Sequence, residues 1–462
     1  MQSYNGYGTD SGWHAAREGA VARGNAGEWD RSNEDMEIGI IGAGFTGLTA
    51  AYELGKQGHK VTVFEQAPQA GGLSGTFKDE NWEWPLEMFY HHIFASDHIL
   101  LNLNRELGIA DKVFFPRPIT AIWQNGGAHA FDSPLAVLRY PYLSFVDKMR
   151  VGLVILYLRL SQNWQPLERV TAHEWLPRYV GQRAYQALWE PLLAGKFGDY
   201  YREVNMAWFW ARFHKRTPRL GYYIGGYQTL INALMDKVQA QGGVIRLNTP
   251  VYRITGTAPR LRLYEAKGVH EFEAVIATVP PQTMLHLATD LPEHYAAQIR
   301  ELRAIGALTL ILALKRPVTD GFYWINLPKG EFPFLAFVEH TNYQSPEHYG
   351  GDYIVYLGAY PPPEHRYFRM SEEEILQEFL PAMTAFNAAF EPSWVRKSWL
   401  FRRKYAQPVV PVYYSRQIPA VRTPVAGLYF ASMSQVYPWD RGSNYAVEMG
   451  QKVARLVQED AN

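Results

Sequence analysis

A chain of 462 residues is long for one ordinary domain and suits two domains sharing an interface, the usual place for a buried cofactor. Lys plus Arg and Asp plus Glu both total 45, so no net field favours a nucleic-acid partner, and no basic run concentrates positive charge. Cysteine is absent, which excludes disulfides, a thiolate nucleophile, Cys-ligated metal clusters and a redox dithiol; any redox chemistry must come from a bound group.

Residues 1–35 are rich in Gly, Asn, Ser and charge, carry no apolar stretch that could serve as a signal-peptide core, and read as a mobile tail. Glu37-Ile38-Gly39-Ile40-Ile41 then reads as a short buried parallel strand. Gly42-Ala43-Gly44-Phe45-Thr46-Gly47 follows it, and Leu48 to Leu54 is a run of good helix formers, so strand, glycine turn and helix stand in the order a dinucleotide site requires. Gly42 permits the tight turn, Gly44 lets backbone approach a pyrophosphate, Gly47 lets the helix pack on the strand, and the helix start at Phe45 and Thr46 offers free N–H groups to phosphate. Lys60–Phe64 is a second strand ending at Glu65 and Gln66. An acid there accepts hydrogen bonds from a ribose and repels a 2′-phosphate, which favours FAD or NAD over NADP.

A second glycine turn, Ala70-Gly71-Gly72-Leu73-Ser74-Gly75-Thr76, lies where the chain would meet the far half of an extended dinucleotide. The whole segment from Ile40 to Thr76 resembles the N-terminal signature of the flavin-containing amine oxidase, protoporphyrinogen oxidase and phytoene desaturase superfamily. The resemblance implies FAD as cofactor, with Gly71, Gly72 and Leu73 against its flavin end. An Arg commonly follows this glycine pair in the superfamily; here Leu73 stands in its place.

Further along, Glu87 to Phe94 supplies His91 and His92, the candidate acid–base residues, because imidazole titrates near neutrality. Their loop also resembles the flavin-adjacent His-Ile-Phe loop of UDP-galactopyranose mutases at His92-Ile93-Phe94, although that family continues with His where this chain has Ala95. Neither histidine has metal-ligand spacing, so no metal site is expected. Phe145–Leu160, Thr171–Leu176 and Trp189–Leu193 read as helices, and they resemble the helical part of the superfamily's substrate domain. The first is expected to be an amphipathic core helix rather than a membrane contact, because no Lys/Arg-rich polar face accompanies its apolar residues. It is also shorter than the roughly 20 apolar residues that span a bilayer, and the protein is expected to be cytoplasmic.

Tyr222–Leu230 leads into a helix through Gln239, and Gly242 to Val251 reads as a turn and one strand returning to the cofactor. The resemblance carries an adenine contact to the Val251 backbone. Ala274 to Pro280 looks like a strand ending at the cofactor at Thr278. Leu308–Leu314 and Tyr353–Leu357 suggest a second sheet. Gly427 to Met433 is a glycine-led strand, and a helix from about Gly442-Ser443-Asn444 through Tyr445 and Ala446 points another N-terminus at the cofactor. Where the superfamily has Gly-Asp after this strand, the chain has Ser432-Met433, with Asp440 and Arg441 as candidate replacements.

The expected fold is α/β: a Rossmann-like FAD-binding domain with a parallel sheet, discontinuous over 36–120, 220–290 and 402–462, interleaved with an α+β substrate domain over 121–219 and 291–401. The expected chemistry is hydride transfer from a fairly large, apolar or cyclic small-molecule substrate to the flavin. With no second Gly-x-Gly-x-x-Gly for a nicotinamide nucleotide, oxygen, a quinone or another protein is the expected acceptor. The alternatives are a non-redox flavoenzyme such as a sugar-nucleotide mutase, and a non-catalytic FAD-binding partner protein.

Overall fold

The computed structural model describes residues 35–461, so nearly all of the expected tail lies outside the described residues. Glu37–Ile41 and Lys60–Phe64 are the two strands expected, and they pair in parallel from Glu37 with Lys60 to Ile41 with Phe64. A parallel pair needs a crossover, supplied by the helix Phe45–Lys56. The full sheet has five parallel strands in the order Val244–Arg246, Lys60–Phe64, Glu37–Ile41, Ala274–Ala277, Leu428–Phe430. The chain therefore leaves Glu37–Ile41 on one side and later returns on the other. This makes the carboxyl end of that strand a topological switch point, and the glycine turn stands there.

A second sheet has seven strands in the order Val395–Pro408, Ala304–Leu314, Tyr353–Ala359, Ala336–Glu339, Phe322–Asn326, Ile119–Gln124, Gly127–Ala130. All its pairs are antiparallel except Phe322–Asn326 with Ile119–Gln124. Strand periodicity splits its faces between two cores. Ile311 and Ala313 join the core that also holds Ile38, Ile40 and Val63 of the parallel sheet, whereas Leu308, Leu310, Leu312 and Leu314 pack with Phe337, Phe379 and Trp394 on the other side. The two sheets thus share one hydrophobic core.

Three expectations need correction. The run Gly242 to Val251 is not one strand: Val244–Arg246 edges the parallel sheet, whereas Val251–Thr257 pairs antiparallel with Arg260–Glu265 in a separate three-stranded meander. Asn248 takes a positive φ of 53° and Pro250 lacks an N–H, so the ladder breaks between them. The expected segment boundary at 401–402 falls inside the strand Val395–Pro408, which is bonded to Ala304–Leu314 along most of its length.

The third correction concerns Phe145–Leu160, whose bounds are as expected. Ser144 and Asp147 form a capping box at its start, and Arg183 pairs with Asp147. Yet the helix buries only Asp147, Val151 and Leu158, and leaves Phe145 71%, Leu153 62% and Leu160 70% exposed, with Val146, Met149, Leu156 and Tyr157 also outward. Its apolar residues encircle the helix, and the neighbouring helices Ala172–Val180 and Met206–His214 can cover only one side. Among the described residues no helix is long and apolar enough to cross a membrane.

The last helix, Ser443–Ala461, closes the parallel-sheet unit by packing on Phe45–Lys56. The Thr46 hydroxyl donates to the Ala446 carbonyl at 3.0 Å, and a methyl group on Gly450 would come within 2.6 Å of the Thr46 carbonyl oxygen and 2.7 Å of Thr49 Cβ. Backbone cannot yield there as a flexible side chain would. Gly450→Ala is therefore expected to destabilise the protein by about 1–3 kcal/mol, the usual cost of overpacking. Urea denaturation checks this, and an unchanged midpoint would show that the helices have room to part.

Candidate functional site

The glycine turn is built to leave donors free. Gly42 has a φ of 104° that favours glycine, and its N–H donates to the Phe64 carbonyl at 2.8 Å, locking the turn to the second strand. Gly44 is the N-cap of the helix Phe45–Lys56 and provides no side-chain cap, so the first-turn N–H groups, including those of Phe45, Thr46 and Gly47, have no side-chain acceptor at the N-cap. A methyl on Gly47 would overlap the Gly42 carbonyl oxygen, whereas one on Gly44 would meet nothing nearer than Gly72 Cα at 3.9 Å. Gly44 and Gly72 face one another, each without a side chain, and the Gly71 N–H donates to the Ala43 carbonyl at 2.8 Å to fix the two turns together. An uncapped helix start opposite a second glycine turn fits a dinucleotide pyrophosphate.

Glu65 is buried, and its carboxylate accepts from the Ala43 N–H at 2.9 Å and the Ala67 N–H at 2.8 Å. Each oxygen keeps a lone pair for a ribose hydroxyl. Gln66 is exposed beside it. The Thr249 N–H donates to the Glu65 carbonyl, which brings the half-buried Val251 to the same end of the sheet. Thr278 closes the far side, its hydroxyl donating to the Ile41 carbonyl at 2.8 Å. The acceptor and donor inventory of this region fits FAD, which would lie with its phosphates at Gly44 and its ribose at Glu65.

The remaining candidates divide. Leu73 is half-buried in a cluster with Phe89, Ala307 and Ala406. Met433 opens a short 3-10 turn beside Ser434, which bonds Tyr405. Gly442 is exposed and Tyr445 stacks on Trp439 with ring centroids 5.7 Å apart. Two side chains are occupied elsewhere. Asn444 accepts from the Leu100 N–H at 3.0 Å, in the first turn of the helix His98–Glu106. Asp440 accepts from Trp208 Nε1 at 3.0 Å, Lys196 Nζ at 3.1 Å and Arg212 at 3.1 Å, so its carboxylate is held by the helical bundle rather than left for a cofactor. Arg441 donates to Gln407 at 2.8 Å.

The histidines also differ from expectation. His91 Nδ1 lies 2.6 Å from the Phe89 carbonyl, which can only accept, so Nδ1 carries the proton and Nε2 accepts from the Ser74 hydroxyl at 3.1 Å. Burial lowers its pKa to about 4. Burial, followed by the positive charge of Arg216, lowers that of His92 to about 3, and His92 Nδ1 has no hydrogen-bond partner among the described residues. Both imidazoles are neutral near pH 7, so neither is the readily protonated group that the free side chain would be.

A cavity of about 920 Å³ reaches the strand that pairs with this loop, although neither histidine lines it. Its wall includes Leu220, the strand partner of Phe94, together with Trp189, Leu192 and Phe213. Met149, Leu153 and Leu156 of the outward helix line it as well. Sequence reasoning missed this cavity and the cations along it, Arg212 and Arg216. The available signal was the aromatic-basic run from Trp208 to Arg216.

The family described as Flavin containing amine oxidoreductase matches residues 45–458. The L-amino-acid oxidase of Mus musculus is 24% identical over 62% of this chain and 49% of its own length. The mitochondrial protoporphyrinogen oxidase of Nicotiana tabacum is 30% identical over 44% of this chain and 40% of its own. The chain thus spans about half the length of the curated relatives it matches. An oxidoreductase from Methanosarcina mazei has the same fold, with a TM-score of 0.70 at 19% identity over 91% of this chain and all of that one.

The glycine geometry separates binding from folding. Gly44→Val is expected to purify folded, with stability within about 0.5 kcal/mol of the parent, but with most of its flavin lost, whereas Gly47→Ala is expected to unfold it. Visible absorbance and a melting curve read the two effects; full flavin occupancy in Gly44→Val would refute the assignment. For the histidines, nitrogen-15 NMR is expected to show neutral rings for His91 and His92 from pH 8 down to pH 6, with protonation only near their lowered pKa values of about 4 and about 3. A titration centred near the ordinary histidine value would contradict the burial argument.

Proposed function

This chain belongs to the flavin containing amine oxidoreductase family, and from that premise we propose that it is an FAD-dependent dehydrogenase or oxidase of an apolar, lipid-borne small molecule. FAD would be held by Gly42, Gly44 and Gly47 at its phosphates, by Glu65 at its ribose, and by the Gly71–Leu73 turn toward its flavin. When bound, it supplies the acceptor for a hydride from a substrate C–H bond. The protein's part is to bind and orient that substrate and to keep water out.

The observation that carries this reading is the cavity of about 920 Å³ lined by Trp189, Leu192 and Phe213 and by Met149, Leu153 and Leu156 of an exposed apolar helix. Its apolar lining suits a large hydrophobic body better than a small polar amine. On the outer face, Phe145, Leu153 and Leu160 stand among the exposed Arg139, Arg150 and Arg159, the arrangement of an interfacial helix that sinks its apolar side chains below lipid headgroups. Substrate would then enter from the bilayer between Leu153 and Leu156.

The purified protein is expected to be yellow and to sediment with vesicles of phosphatidylcholine and phosphatidylglycerol, and the triple variant Phe145→Ser, Leu153→Ser, Leu160→Ser is expected to stay in the supernatant with its flavin intact. Anaerobic mixing of the vesicle-bound enzyme with lipid-soluble polyenes, tetrapyrroles and long-chain amines should bleach the flavin with at least one of them. A colourless protein that takes up no added FAD would end the oxidoreductase reading; a yellow one that ignores vesicles would end only the lipid-borne part.

A further inference from the structure

The same cavity carries an electrostatic asymmetry that an apolar substrate does not explain. Arg117, Lys148, Arg159, Arg212 and Arg216 line it, against only Asp132 and Glu331. Most of these groups have partners. Lys148 donates to the Leu138 carbonyl at 2.6 Å, Arg159 to the Arg216 carbonyl at 2.7 Å, and Glu331 accepts from Trp123 Nε1 at 2.8 Å. Arg212 shares Asp440 with Lys196, each at 3.1 Å, so one carboxylate serves two cations. Arg216 has no carboxylate within ion-pair distance among the described residues, and it lines the cavity four positions before Leu220, the strand partner of Phe94.

We propose that Arg216, with Arg212 behind it, is an anion subsite, and that the molecule occupying the cavity is an amphiphile whose apolar body lies along Trp189, Leu192 and Phe213 and whose carboxylate pairs with the Arg216 guanidinium. The planar fork of arginine matches a carboxylate with two parallel N–H···O bonds. Arg216 lines the cavity and is exposed, so its guanidinium is accessible to a ligand. Desolvation by the surrounding protein, then repulsion from Arg212 and Arg159, lowers the Arg216 pKa to about 10. Burial likewise lowers Lys196 to about 7 despite Asp440 beside it. Asp440 cannot neutralise Arg216 as well; although burial pushes its carboxyl up, Lys196, Arg212 and Arg441 already hold it below the usual range. A bound carboxylate supplies the missing charge. The inference makes an amine the wrong ligand for this cavity, since its ammonium would face the same cations.

This inference rests on the proposed function only for the word substrate, and its test does not need turnover. Three single-chain probes of equal length, dodecanoate, dodecanol and dodecylammonium, are titrated below their micellar concentrations into the flavin-loaded protein by calorimetry. Dodecanoate is expected to bind roughly tenfold or more tightly than dodecanol, and dodecylammonium most weakly. Arg216→Met should bring dodecanoate to the affinity of dodecanol and leave dodecanol unchanged, while Arg216→Lys should keep part of the preference. Dodecylammonium or dodecanol binding as tightly as dodecanoate to the parent protein would overturn the subsite, as would an undiminished dodecanoate preference in Arg216→Met. Should Arg216→Met fail to fold, the parent ranking and Arg216→Lys still decide. Loss of flavin reduction by every donor would sink the enzyme reading while leaving the probe ranking intact.

Discussion

One close approach sets the terms for the rest of the molecule: the helix Phe45–Lys56 lies against the helix Ser443–Ala461 with no side chain between them at Gly450. Thr46 fastens the contact with its hydroxyl on the Ala446 carbonyl, across 400 residues of sequence. Because Thr46 belongs to the glycine turn itself, this packing positions the free N–H groups of the helix start. Gly47 brings the same helix onto the strand below, and Gly42 is bonded to the strand beside it. Three glycines and one hydroxyl thus fix where the donors point. The carboxylate of Glu65, gripped by the Ala43 and Ala67 N–H groups, is fixed by the same turn.

Around that frame the protein tolerates charges in places where burial is costly, and each tolerated charge marks a functional candidate. The parallel-sheet end presents uncapped donors and a half-satisfied carboxylate, a set that suits a dinucleotide. The helical end presents cations in excess of anions within aromatic walls, Lys196 and Arg212 both lying over the Trp208 ring. The two ends thus differ in kind: a glycine turn with free donors at one, an apolar cavity with a cationic wall at the other.

The parts of this arrangement that were legible in the sequence are local. Strand Lys60–Phe64 and helix Phe145–Leu160 have the bounds their periodicity implies, because short-range hydrophobic pattern and capping residues determine them. The glycine turn was legible because its function demands a residue type, not merely a pattern. What could not be read depends on long-range neighbours. No periodicity reveals that Phe145–Leu160 would find neighbours on only one side, that Asp440 would be claimed by Lys196 and Arg212, or that burial would strip two histidines of their usual basicity. The break at Asn248 and Pro250 had a local signal, but its consequence, a strand assigned to a different sheet, follows from which ladder was free to receive it.

The order of strands in the parallel sheet has a bearing on biosynthesis. Its two innermost N-terminal strands leave the ribosome early, yet the strand beside them is Ala274–Ala277 and the outer one is Leu428–Phe430. An elongating chain must carry Ile38, Ile40 and Val63 with one flank uncovered while several hundred residues of other structure are made, a span over which exposed strand edges invite aggregation. The parallel sheet that carries the glycine turn is therefore complete only once Leu428–Phe430 has been made.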